Sequence, residues 1–233
     1  MNMTGDWSAM LYTASTWVLP VLLAITFHEA SHGFVALRFG DDTALREGRV
    51  TLNPLKHVDP FGTVLLPALL IMLRSPFLFG YAKPVPVNFA RLRHPRLDMV
   101  WVALAGPVMN ILLAIVSALL FYGVAWMPPR PAQWAAENLV HSIQLNAVLC
   151  VFNMLPLPPL DGGRVAVGLL PNFLAFPLAR LEPYGMPILL LLLFVLPFAG
   201  SQIGLDLNIV GKLIAGPTNA LIQLVLQLTG QGS

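Results

Sequence analysis

Charge is what this chain has least of. Asp, Glu, Lys and Arg make up 10% of its 233 residues, against about 25% in an ordinary soluble domain. With 57% hydrophobic residues and several long apolar runs, that deficit points to an all-α polytopic membrane protein. Cysteine is nearly absent too. The one thiol, Cys150, excludes a disulfide framework and a cysteine-rich zinc site. Placed in an apolar run, it reads as a small buried hydrophobe. The first sixteen residues lack a basic segment, and no cleavable signal peptide is expected. Internal repeats, low-complexity tracts and separately folding polar segments are missing as well. One membrane domain over 1–233 is therefore expected, with a core at 17–170 and C-terminal helices within 184–228. A net charge of +2 says little by itself, and nothing in the chain points to nucleic acid. It leaves the oligomeric state open.

The positions of the few basic residues orient the chain. Trp7, Tyr12 and Trp17 suit a headgroup boundary ahead of a first span from about Trp17 to Phe39. That span is broken by Gly40-Asp41-Asp42, and Arg38, Arg46, Arg49 and Lys56 cluster around its end. By the positive-inside rule this end faces the cytoplasm. The apolar stretch Thr63 to Leu73 is too short for a span of ~20 residues and contains Pro67. Its flanks are both basic, so a re-entrant hairpin over 61–80 is expected, with a full span as the competing reading. A second span runs from Met99 to about Trp126, and a third from near Leu139 through Phe152. Three prolines in Asn153-Met154-Leu155-Pro156-Leu157-Pro158-Pro159-Leu160-Asp161 rule out a continuous helix there. A short helix over Val165–Arg180 and another span over Tyr184–Phe198 follow. The stretch 205–228 reads either as a kinked span or as an interfacial helix. About four to six transmembrane helices result, and eleven of the thirteen Lys and Arg residues fall on the cytoplasmic side. The expected place is a bacterial inner membrane, with the lipid bilayer as the surrounding partner.

Within the first span stands Phe27-His28-Glu29-Ala30-Ser31-His32. Positions i and i+4 share a helix face, so His28 and His32 offer two imidazoles to one metal ion, with Glu29 beside them as a proton acceptor. Ionisable groups at membrane depth read as functional. A tetrahedral zinc needs a third protein ligand. The remaining carboxylates lie in loops, at boundaries or, for Asp98, at a helix start. Asp161 is the candidate, on the interrupted end of the third span at the depth of His32. His57 has two open readings: a group on a water path or gate to the metal, and a loop histidine bonded to backbone. His94 reads as solvated and His141 as interfacial.

HEASH in a first span, AGPVMN in a later one and NMLPLPPLDGG after it resemble the site-2 protease family of intramembrane zinc metalloproteases, over about residues 17–170 and in the expected order. The resemblance implies one Zn2+ per chain held by His28, His32 and Asp161, with Glu29 as catalytic base. It implies that Asn153 helps hold substrate, and that Lys83-Pro84-Val85-Pro86-Val87-Asn88 is a short membrane-associated β segment. Val85 and Val87 would then pair with an unwound transmembrane protein substrate. NPLKHVDPFG resembles a feature of the compact bacterial subgroup, and no PDZ or CBS region occurs in these residues. The implied activity is hydrolysis of peptide bonds within or near transmembrane segments, as in regulated intramembrane proteolysis. A membrane metal-ion transporter and a catalytically silent scaffold are the rival classes.

Overall fold

The computed structural model describes residues 3–65, 69 and 83–232. Among them every regular element is helical. The long helices are α1 (Met3–Arg38), α2 (Pro95–Phe121) and α3 (Pro129–Asn153). Two short ones follow, α4 (Asp161–Leu169) and α5 (Asn172–Ala179), then α6 (Glu182–Gln202) and α7 (Ile209–Leu228). Four stretches among the described residues are long and apolar enough to cross a membrane: Ser8–Arg38, Pro95–Trp126, Glu182–Gln202 and Ile209–Leu228. At 1.5 Å per residue the 25 residues of α3 would also span a ~30 Å hydrocarbon core. Its composition is more polar because it packs against α1, α2 and α7, and Asn138 and Asn146 turn inward.

The second span shows how the faces divide. On α2, Ala103, Gly106, Asn110, Ala114 and Ser117 are buried, whereas Trp101, Val108, Leu112, Val116 and Leu119 are exposed. Steps of three and four residues keep each set on one stripe. The small-residue stripe lets α1 and α3 approach closely, as packing in lipid requires. Toward the end of the bundle away from His32, Ala114 and Ala118 of α2 meet Ile143 of α3 and Val225 of α7.

Several expected boundaries shift. The lead before Trp17 is helical from Met3 onward, since no proline or glycine interrupts residues 6–16. It is held laterally: Trp134 Nε1 donates to Ser15 Oγ at 3.0 Å and Trp17 stacks on His141. Pro20 has no N–H to offer the Thr16 carbonyl, and that oxygen faces His141 Nδ1 at 3.1 Å instead. The single helix expected over Val165–Arg180 is two, because Pro171 forces Leu170 into extended backbone (ψ 150°). Arg96 stitches the break, donating to Gly168 O at 2.9 Å and to Asn172 Oδ1 at 2.8 Å.

Among the described residues the expected β segment is not seen. Lys83–Asn88 has no ladder partner among the described residues. Pro84 and Pro86 lack donors, and the remaining backbone groups are met largely by charged side chains. Arg49 Nη2 donates to the carbonyls of Lys83 and Pro84. Glu29 Oε2 accepts from Val85 N at 2.8 Å, and Asp41 Oδ2 accepts from Asn88 N at 2.6 Å. Of the re-entrant hairpin expected over 61–80, only 61–65 and 69 fall among the described residues; the rest lies outside them.

Candidate metal centre and catalytic site

His28 and His32 lie one turn apart on α1, and both are buried. Asp161, the first residue of α4, reaches them because the Met154–Leu160 turn reverses the chain after α3. This close approach depends on glycine. A Cβ at Gly162 would lie 2.2 Å from Met154 O, and one at Gly163 would lie 2.2 Å from Pro158 N, distances only an absent side chain permits. Gly106 on α2 plays the same part from the other side. A Cβ there would meet His28 Cε1 at 2.5 Å and His32 Nε2 at 2.6 Å.

Three ligand atoms converge. His28 Nε2 lies 3.2 Å from Asp161 Oδ2, and His32 Nε2 lies 3.5 Å from Asp161 Oδ1. The two Nε2 atoms are 3.1 Å apart. Ligands about 2.0–2.1 Å from a tetrahedral zinc sit roughly 3.3 Å from one another, so these spacings fit one ion. The hydrogen bonds agree. His32 Nδ1 faces the Val102 carbonyl at 2.7 Å, an acceptor that obliges Nδ1 to carry the hydrogen. His28 Nδ1 faces Asn110 Oδ1 at 2.6 Å and does the same. Both Nε2 lone pairs then point at each other and at a carboxylate, a repulsive arrangement without a cation. Asp161 Oδ2 is buried and makes no hydrogen bond. The donor set suits Zn2+, and each imidazole has the outer hydrogen bond that orients such ligands.

Glu29, half-buried, stands beside this triad with its carboxylate fixed by the Val85 N–H. It faces a cavity of about 560 Å³ shared with His28, His32 and Asp161. Asn153, Val85 and Val87 line the same cavity, so it gathers every candidate site residue of the sequence except His57. That histidine is buried elsewhere, beside a small cavity that Val21, Leu22, Ile25 and Thr26 of α1 also line. Its Nε2 donates to Thr51 O at 2.9 Å, and its carbonyl accepts from Lys83 N at 3.0 Å. It therefore tethers the start of the strip. His94 is exposed and Cys150 is buried.

Three contributors escaped sequence reading. Asp41 and Arg49 belong to what reads as a polar loop, yet both are buried and hold the strip. Asn146, fully enclosed, accepts from Asn110 Nδ2 at 2.8 Å. Its polar amide inside an apolar run was the available signal. At the surface nearby, a hydrogen bond from Arg46, with Arg91 adding its charge, holds the Asp42 carboxyl below the usual range.

Similarity to known proteins agrees with this chemistry. The chain is 42% identical over 191 residues to a Bacillus subtilis protein named "Putative zinc metalloprotease YwhC", covering 80% of this chain and 82% of that protein. It is 34% identical over 144 residues to "Putative zinc metalloprotease Rip2" of Mycolicibacterium smegmatis, covering 60% of this chain and 52% of that protein. The Rip2 of Mycobacterium tuberculosis H37Rv is 32% identical over 163 residues, with 69% of this chain and 60% of that protein covered. No family model matches the chain, and neither does any solved structure. A metal-ligand triad on apolar helices and a relative matched over most of both lengths lead to one assignment: the chain belongs to the site-2 protease family of zinc metalloproteases, in its compact subgroup.

Proposed function

We propose that this metalloprotease cuts peptide bonds within or near transmembrane segments of other membrane proteins, on the cytoplasmic side of a bacterial inner membrane. One observation carries the reading. His28, Glu29 and His32 belong to a helix apolar enough to cross a membrane, yet they border a cavity with room for a peptide. A soluble substrate would have no need of a site placed there.

The residues divide the work as follows. His28, His32 and Asp161 would hold the zinc, and the chemistry it would supply when bound is Lewis acidity toward a carbonyl and toward water. Glu29 takes the proton of the attacking water and delivers it to the leaving amine. The Val85 N–H keeps the carboxylate on the cavity side during both transfers. A transmembrane helix hides its carbonyls in its own hydrogen bonds, so the substrate must unwind before it is cut. Asn153 and the strip around Val85 and Val87 form the walls against which an extended segment lies. Asn153 Nδ2 donates to Leu149 O at 3.0 Å, which fixes its amide at the end of α3.

Purified chain in proteoliposomes with a single-span model substrate provides the test. Cleavage within the apolar segment, abolished by E29Q and by zinc chelation, is expected. Cleavage of soluble peptides alone, with single-span substrates left intact, would overturn the proposal.

A further inference from the structure

Behind the metal site runs a chain of hydrogen bonds through three helices, its first two links buried. His28 Nδ1 on α1 meets Asn110 Oδ1 on α2 at 2.6 Å. Asn110 Nδ2 donates to Asn146 Oδ1 on α3 at 2.8 Å. Asn146 Nδ2 donates to the Ser142 carbonyl at 2.8 Å. Asn110 is 0% exposed and Asn146 1%, so water does not substitute for the links from His28 to Asn110 and from Asn110 to Asn146.

The two imidazoles are thus oriented by different devices. His32 faces a backbone carbonyl, which cannot turn around. His28 faces a side-chain amide, whose oxygen and nitrogen exchange places when it flips by half a turn. A flipped Asn110 would present N–H to His28 Nδ1, drive the hydrogen onto Nε2 and remove the lone pair that faces Asp161. Only the far end of Asn110 tells the two orientations apart. Asn146 Oδ1 demands a donor there, and Asn146 is itself held because its own nitrogen is committed to a backbone carbonyl. The direction of every link traces back to Ser142 O.

We propose that Asn146 is a positioning residue for the metal site: through Asn110 it sets the tautomer of His28, and so prepares a ligand that it never touches. This rests on the reading of His28 as a zinc ligand. The relay explains a polar amide inside the bundle at Asn146, which is not one of the three ligand residues. It also predicts that the requirement for Asn146 disappears once residue 110 can no longer flip.

A double-mutant comparison tests that dependence. Zinc affinity is measured by chelator competition on full-length protein in detergent, for N146L in the wild-type and N110D backgrounds. The visible spectrum of the Co2+-loaded protein reports ligand geometry independently of turnover. Loss of an outer-shell partner weakens metal binding by roughly 10- to 100-fold. N146L alone is expected to fall near the lower end of that range and to perturb the cobalt spectrum. An aspartate at position 110 has only acceptor oxygens, so both effects should vanish in N110D/N146L. An equal loss in both backgrounds would mean that Asn146 acts through packing, and no loss in either would mean that it does not act on the site; each overturns the relay. If N146L does not fold, N146V, equally unable to donate or accept, is read on the same scale. H28A separates the two levels of the argument: if it retains zinc, the ligand assignment fails, whatever residue 146 does.

Discussion

Glu29 and Gly106 carry the sharpest expectations at the scale of single residues. E29Q keeps the shape of the side chain and its acceptor for the Val85 N–H, but not its basicity. It should retain full zinc by elemental analysis and lose activity by roughly 100- to 10,000-fold; appreciable turnover would remove Glu29 from the base role. G106A adds one methyl group where 2.5–2.6 Å separates the virtual Cβ from both imidazoles. It should weaken zinc binding by roughly 10- to 100-fold, as the loss of an orienting partner does, and unaltered affinity would show that the rings shift freely. The sequence reveals these residues unequally. His28 and His32 are legible because one turn of helix fixes their spacing, and Asp161 because so few carboxylates compete. Asn146 is not. Its partner Asn110 lies 36 residues away, and no helical periodicity says which faces of α2 and α3 meet.

Elements add a second level, and the Lys83–Asn88 strip is the instructive case. A β segment was expected there, and among the described residues the backbone is met by Arg49, Glu29 and Asp41, with no neighbouring strand. Local composition cannot show this, because the three anchors come from α1 and from the loop behind it. Hydrogen bonds to a charged donor are worth about 1.5–3 kcal/mol each, so R49M should free the Lys83 and Pro84 carbonyls and loosen the strip. Hydrogen exchange at the Val85 amide is expected to accelerate, with zinc content unchanged and cleavage efficiency reduced. Protection at wild-type level would assign the strip's rigidity elsewhere. The same level explains the division at Leu170–Pro171: proline placement is visible in the sequence, but Arg96, which caps the break, lies more than seventy residues earlier.

For the molecule as a whole, orientation in the bilayer is the property to establish. Basic residues concentrate near the His32 end of α1, and the proposed cytoplasmic placement of the site rests on the positive-inside rule. With Cys150 replaced by alanine, H94C should be shielded from an impermeant thiol reagent in intact cells, and Q133C should react. The reverse labelling pattern would invert the proposed topology. The span-forming helices are legible from hydropathy, and α3 is the most polar of the long ones because much of its surface packs against α1, α2 and α7. That enclosure bears on how the protein is made. A nascent α3 carries the amides of Asn138 and Asn146, which are costly in hydrocarbon and which the packing against α1 and α2 encloses. Its remaining flank packs against α7, a partner that ribosomal synthesis supplies more than fifty residues after α3 is complete.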